Sequence, residues 1–282
     1  MDDLTDNYKR AQALGVKVKA IVVINPGNPT GQVMSKKNLE DIVKFCYEHK
    51  IVICADEVYQ INIYGSTPFV SLKKVMNELG APYNTIELVS FHSTSKGLIG
   101  ECGLRGGYME IENFDPYVQS QILKLRTITL CPNTIGQLTC ELMLNPPKEG
   151  VNSKEVVETY KKECDLIFGG LKKRSKLLTQ KLNEIPGIKA NELEGAMYSF
   201  PSVLLTESAC KAAKAKGIAP DVLFCVEALE ETGIVMVPGS GFKQKDGTHH
   251  FRITNLIYQT EEFDKALDAF KEFCKKFFAK YP

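Results

Sequence analysis

Ala20-Ile21-Val22-Val23-Ile24-Asn25-Pro26-Gly27-Asn28-Pro29 joins a continuous apolar, β-branched run to a cluster of turn formers. The run is short and bounded by proline and glycine, so it reads as a buried strand ending in a tight turn. Ser35 then offers an N-cap hydroxyl, and Leu39, Ile42, Val43 and Cys46 follow at helical spacing. That spacing gathers them on one face, which a helix turns toward a sheet. Ile51-Val52-Ile53-Cys54-Ala55 repeats the strand pattern and ends at Asp56-Glu57. A weaker helical segment over Ser71 to Leu79 precedes a third strand, Ile86 to Phe91, and Gly106 to Met109 is a candidate for another. Buried strands alternating with helices predict parallel crossovers and a sheet covered on both faces, which is the α/β class.

Beyond Asn145-Pro146-Pro147-Lys148-Glu149-Gly150 the pattern changes. Val157, Tyr160, Cys164, Ile167, Leu171 and Leu178 predict one long helix reaching toward Ile185 and stopped by Pro186-Gly187. Short strands are expected near Met197 to Phe200, Ile234 to Val237 and Phe251 to Thr254. A final helix capped by Thr260 carries Phe263, Ala266, Leu267, Phe270 and Phe273 on one stripe. The expected organisation is an α/β domain over residues 1–145 and a smaller α+β domain over 146–282, which includes the long helix.

A chain of 282 residues has length for one large or two modest domains. Its 35 lysines and arginines nearly cancel its 34 aspartates and glutamates, and no block of like charge occurs, so a nucleic-acid partner is not expected. The 9 cysteines include no C-x-x-C pair, and there are only 4 histidines, which argues against a disulfide framework and against a metal site. Cys54 is expected to be a buried, reduced thiol in a reducing intracellular compartment. The acidic start, Met1-Asp2-Asp3, is not a signal or transit peptide. No apolar run approaches the roughly 20 residues that span a bilayer. A soluble, cytoplasmic protein is the expectation, with a mitochondrial location left open.

The chemistry concentrates in Ser93-Thr94-Ser95-Lys96-Gly97 and Gly103-Leu104-Arg105-Gly106-Gly107. A lysine amine condenses with an aldehyde, and hydroxyls with a guanidinium hold a phosphate beside it. An aldehyde and a phosphate on one small ring describe pyridoxal phosphate. Ser93, Ser95 and Arg105 are the phosphate candidates, although a lysine or arginine in such a place is also an ordinary surface charge. Asp56 ends an apolar strand, where an unpaired carboxylate is costly. It serves either as a cap or ion-pair partner, or as the group that keeps a pyridine nitrogen protonated. Tyr59 and Asn28 suit the phenolic oxygen of the same ring, or simply a packed aromatic and a turn. Arg252 interrupts the strand Phe251-Arg252-Ile253 and needs a partner, either a protein carboxylate or the carboxylate of a substrate. Asn28, Asp56 and Lys96 all fall at carboxyl ends of predicted strands, the edge where open α/β sheets bind ligands, so the three are expected to converge.

Asn28-Pro29-Thr30-Gly31, Asp56-Glu57-Val58-Tyr59, Ser93-Thr94-Ser95-Lys96, Arg105 and Arg252 resemble, in type and order, the motifs of fold-type-I pyridoxal-phosphate aminotransferases. Within that class, Phe91-His92-Ser93-Thr94-Ser95-Lys96-Gly97, Gly100-Glu101-Cys102-Gly103 and Val237-Pro238-Gly239-Ser240-Gly241-Phe242 look like the alanine aminotransferases. The resemblance implies a mostly parallel sheet flanked by helices, with a smaller C-terminal domain. It implies that Lys96 binds the cofactor and shuttles the proton, that Asp56 faces the ring nitrogen, and that Asn28 and Tyr59 address the phenolic oxygen. Ser93 and Arg105 would hold the phosphate, and Arg252 the substrate α-carboxylate. The implied partners are an amino acid, a 2-oxo acid and a second copy of the chain in a homodimer. The implied reaction converts L-alanine and 2-oxoglutarate into pyruvate and L-glutamate. No metal is implied.

The long segment that precedes this region in the family finds no counterpart before Met1, so the chain is expected to be a C-terminal part that is weakly active by itself. A lyase or synthase of the same fold and a non-catalytic short form are the alternatives.

Overall fold

The computed structural model describes residues 1–282. Helix α1 (Asp2–Ala13) precedes β1 (Ala20–Ile24), α2 (Lys36–His49), β2 (Val52–Asp56), α3 (Leu72–Leu79), β3 (Leu88–Ser93) and β4 (Gly107–Glu112). Helices α4 (Pro116–Ile128) and α5 (Thr134–Leu144) lead into α6 (Lys154–Asn183), which is 30 residues long. The remainder comprises β5 (Ile188–Lys189), β6 (Tyr198–Ser199), β7 (Ser202–Val203), α7 (Glu207–Ala215), α8 (Pro220–Thr232), β8 (Val237–Pro238), β9 (Phe251–Thr254) and α9 (Thr260–Lys280).

Packing divides the chain into two units. One comprises Met1–Pro26, Val33–Ile63 and Thr67–Lys162, and the other Gly27–Gln32, Tyr64–Ser66 and Glu163–Pro282. The division falls within α6, after the composition change at Asn145-Pro146-Pro147. Two short segments of the N-terminal half, one of them carrying Asn28, belong with the second unit.

In the first unit the sheet order is β1-β2-β3-β4. Strands β1, β2 and β3 run parallel, and β4 is antiparallel to β3. The reversal has a simple cause: the loop between β3 and β4 contains a short 3-10 turn and no crossover helix, which a parallel pair would need. Val23, Ile53, Ala55 and Leu88 form one core with Leu39, Val43 and Cys46 of α2 and Leu72 and Val75 of α3. Each of the valine, leucine and isoleucine side chains among them, fully buried, contributes roughly 1.5–3 kcal/mol. Helix α2 starts as its sequence predicts, with Ser35 Oγ accepting from the Asn38 N–H at 3.2 Å, and Ser71, expected within the next helix, instead caps it, its Oγ accepting from the Lys74 N–H at 3.2 Å.

The expectation of a sheet covered on both faces is corrected here. The face opposite α2 and α3 is open, with Val22 66%, Phe91 38% and Met109 37% exposed. Cys54 stands in the row formed by Val22 and Val89 and is half-buried, not enclosed as expected. Apolar periodicity records which residues prefer cover, but the cover itself depends on what packs there.

In the second unit β6, β9 and β8 form an antiparallel sheet and β5 pairs with β7. Its core is aromatic: Phe224, Phe251, Phe270, Phe273 and Phe277 are fully buried. Phe224 meets the other four with ring centroids 5.1–6.1 Å apart. Such pairs contribute about 0.5–1.5 kcal/mol each beyond their buried area. Helix α9 supplies the predicted stripe, but Thr260 is its first helical residue rather than a side-chain cap, and Gln259 precedes it without a capping bond. The buried Arg174 donates to the carbonyls of Asn255 and Tyr258 at 2.8 and 2.7 Å, which ties α6 to the chain after β9. No helix is long and apolar enough to cross a membrane.

Candidate active site

The loop that carries Lys96 is closed at its base. Strand β3 ends at Ser93, and the buried Thr94 donates its N–H and its hydroxyl to the Gly106 carbonyl at 3.1 and 3.2 Å. The Glu101 N–H returns to the Thr94 carbonyl at 2.9 Å, and Ser93 Oγ accepts from the Ser95 N–H at 3.3 Å. Gly97 turns the chain at φ 68°, a left-handed conformation that glycine adopts without strain. A Cβ on Gly106 would lie 2.5 Å from the Gly136 carbonyl oxygen, so this close approach also requires glycine. Lys96 therefore leaves a backbone that is fixed on both sides.

Its side chain lines an open depression of about 780 Å³ that runs from the carboxyl edge of the sheet over its uncovered face, past Val22, Cys54, Phe91 and Met109. Asp56, Tyr59, Ser93, Ser95 and Arg126 line the same depression. Asp56 is the last residue of β2, opposite Phe91 of β3, and its Oδ1 accepts from the Val58 N–H at 3.3 Å. Strand register, not sequence proximity, brings this carboxylate beside the lysine loop.

Two further groups shape the field. Burial lowers the pKa of His92 against the opposing pull of the Asp56 charge, which favours a neutral ring. The Nε2 atoms of His92 and Gln60 are 3.3 Å apart, and the ring of Tyr108 stands edge-on to the imidazole at 5.8 Å. Glu57 is buried, its Oε1 accepting from the Leu72 N–H at 2.8 Å. Burial raises its pKa, with the Asp56 and Glu110 charges adding to the rise and the Leu72 bond opposing it.

Of the residues singled out in the sequence, Lys96, Asp56, Tyr59, Ser93 and Ser95 meet in this depression. Arg105 lines a neighbouring one of about 280 Å³, which shares Gly107 and Tyr108 with the first. Its Nη1 donates to the Cys102 carbonyl at 3.1 Å, and its backbone is left-handed at φ 55°. Asn28 and Arg252 lie in the second unit, where Arg252 Nη1 donates to Asn28 Oδ1 at 2.9 Å. The guanidinium stands over the rings of Tyr198 and Phe242, 4.6 and 5.3 Å from their centroids. An amide and two aromatic faces take the place of the protein carboxylate considered for it. Arg126, His92 and Tyr108 escaped the sequence reading. His92 was accessible to it as the neighbour of Ser93 just beyond the predicted strand Ile86 to Phe91, whereas nothing in the pattern of residues 116–128 marks Arg126.

A small ring carrying an aldehyde, a basic nitrogen and a phosphate finds in the Lys96 depression an amine, a carboxylate and hydroxyls, so the donor set fits pyridoxal phosphate.

A sequence profile described as aminotransferase class I and II matches residues 1–270. A relative named probable alanine aminotransferase, mitochondrial, from Dictyostelium discoideum is 48% identical over 100% of this chain and 52% of its own length. Glutamate–glyoxylate aminotransferase 1 of Arabidopsis thaliana is 45% identical over 99% of this chain and 58% of its own. Among solved structures, an alanine aminotransferase from Pyrococcus furiosus superposes with a TM-score of 0.73 at 29% identity, covering 92% of this chain and 58% of that one. The chain thus spans about half the length of the curated relatives it matches.

Proposed function

The chain belongs to the class I and II aminotransferases, a family of pyridoxal-phosphate enzymes with the type-I fold, and from that premise we propose that it serves transamination between L-alanine and 2-oxoglutarate. The observation that carries this reading is the joint lining of one depression by Lys96, Asp56, Tyr59, Ser93 and Ser95.

When bound, pyridoxal phosphate supplies an electron sink for the charge that develops at the substrate Cα. The Lys96 amine would hold the cofactor, and it is the general acid and base that would carry a proton to and from the substrate Cα. The Asp56 carboxylate keeps the ring nitrogen protonated. Tyr59 and the Asn28 amide donate to the phenolic oxygen. Ser93 and Ser95 would take the phosphate together with Arg105, whose single bond to the Cys102 carbonyl leaves other guanidinium N–H donors free. Arg252, with a planar fork suited to bidentate contact, takes the substrate α-carboxylate.

A homodimer, which family membership supports, and a contribution from sequence outside these 282 residues, which the partial coverage of the relatives supports, belong to the same proposal. Weak cofactor binding and slow turnover by the chain alone follow from it. The plant relative favours a second reading, with glyoxylate as the amino-group acceptor. Pyruvate formation from alanine, measured with 2-oxoglutarate and with glyoxylate, separates the two. Absence of keto acid with either acceptor, from this chain and from a longer polypeptide containing it, would refute both.

A further inference from the structure

Asp221, the second residue of α8, is 3% exposed, and no step of the proposed chemistry uses it. A carboxylate in the first turn of a helix needs no burial to favour the helix terminus. This one gives only Oδ1 to its own helix, accepting from the Val222 N–H at 3.0 Å. Its Oδ2 accepts from the Ser240 N–H, which belongs to the 3-10 turn Gly239–Phe242. Taking a carboxylate out of water is costly, and the local structure of α8 gives no reason for this second bond.

The reason lies in what the turn carries. It follows β8, whose Val237 pairs with Arg252 of β9. At its start the Gly239 N–H donates to the His250 carbonyl at 2.8 Å. At its end the Phe242 ring centre lies 5.3 Å from the Arg252 guanidinium, and the ring stands edge-on to Phe200, also at 5.3 Å. Residues 243–248 beyond it are largely exposed and offer the ring little support. The other ring on Arg252, Tyr198 at 4.6 Å, sits on β6, which pairs with β9. One aromatic contact is thus built into the sheet, and the other depends on a turn tied down by a backbone bond and the Asp221 carboxylate.

We propose that Asp221 is a positioning residue for Arg252. It pins the Gly239–Phe242 turn, the pinned turn keeps Phe242 against the guanidinium, and the two rings hold the planar fork in the orientation that receives a carboxylate. The last step rests on the proposed function, in which Arg252 takes the substrate α-carboxylate. The first two concern contacts within the second unit and stand apart from it.

The guanidinium N–H resonances of Arg252 report ring contact without turnover, because an aromatic face shields protons held over it. Heteronuclear NMR compares them in wild type, Phe242→Leu, Asp221→Ala and Asp221→Asn. Phe242→Leu sets the size of the downfield change when the ring is lost. Asp221→Ala is expected to reproduce most of that change. Asp221→Asn keeps the shape but has one acceptor oxygen in place of two, so it is expected to show part of the change, and it serves as the test if Asp221→Ala does not fold. A role in stability alone would leave these resonances unmoved in the folded protein. The second measurement is transamination by a cofactor-loaded longer polypeptide containing this chain, where Asp221→Ala is expected to raise the KM for alanine about fivefold with kcat within about twofold of wild type. Unmoved Arg252 resonances in the folded Asp221 variants, or an unchanged KM while the resonances move, would overturn the inference. Absence of keto acid from the wild-type polypeptide refutes the transamination reading alone, and the resonances still decide whether Asp221 holds Phe242 on Arg252.

Discussion

Arg252 Nη1 and Asn28 Oδ1 are 2.9 Å apart, joining residues separated by 224 positions. Because the amide oxygen accepts this bond, the Asn28 amide nitrogen is left to donate elsewhere, as a contact with a phenolic oxygen requires. A hydrogen bond to a charged group contributes about 1.5–3 kcal/mol. Asn28→Ala is expected to raise the KM for alanine about tenfold, the equivalent of about 1.4 kcal/mol, through a less well-held Arg252. Amino-acid titration of the cofactor-loaded protein, followed by absorbance, checks this. An unchanged KM would show that Arg252 needs no such support.

Gly31 separates backbone strain from steric clash. It has φ 68°, and a Cβ there would lie 2.2 Å from Leu193 Cδ1 and 2.2 Å from the Tyr198 carbonyl oxygen. Gly15 has φ 73° with nothing within 4 Å. Alanine at Gly15 is expected to cost about 1–2 kcal/mol, the price of the left-handed backbone alone. Alanine at Gly31 is expected to cost about 3 kcal/mol or more, because a backbone oxygen must also move. Urea midpoints of the two variants measure the difference, and equal midpoints would contradict it.

Glu57 gives a pH dependence of defined sign. Burial raises its folded-state pKa above the ordinary value of 4.5. Between the unfolded and folded values the native state holds more protons, so this group costs stability as pH rises through that window. Glu57→Gln keeps an acceptor for the Leu72 N–H and removes the buried charge. The variant is expected to be more stable than wild type near neutral pH, with the gain disappearing as pH falls toward the unfolded value. Urea midpoints at several pH values test it. A gain that grows on acidification would be the wrong sign.

Much of the fold was legible because local rules and tertiary packing agree. Residues 20–24 and 251–254 form strands where their apolar runs lie, and Ser35 caps the helix that follows it. The meeting of Asp56 with Lys96 was legible from strand ends alone, since a parallel sheet sends both to one edge. Thr260 misled because a hydroxyl at a helix start serves equally as a cap or as a first residue. The open face at Val22 and Phe91 could not be read, since an apolar residue looks the same whether or not something covers it. The bond from the Arg105 guanidinium to the Cys102 carbonyl is a side-chain contact that the glycines around it do not announce. Arg126 was hidden because Tyr117, Leu123, Leu125 and Ile128 are all exposed, so α4 shows no stripe against which an unusual position would stand out.

The account depends most on Lys96 being the lysine that holds the cofactor. Borohydride reduction of the pyridoxal-phosphate-treated protein, followed by peptide mass spectrometry, tests that directly. A phosphopyridoxyl group on the peptide containing Lys96, absent from Lys96→Ala, is the predicted result. A modification confined to another lysine, with Lys96 unmodified in a folded protein, would contradict it.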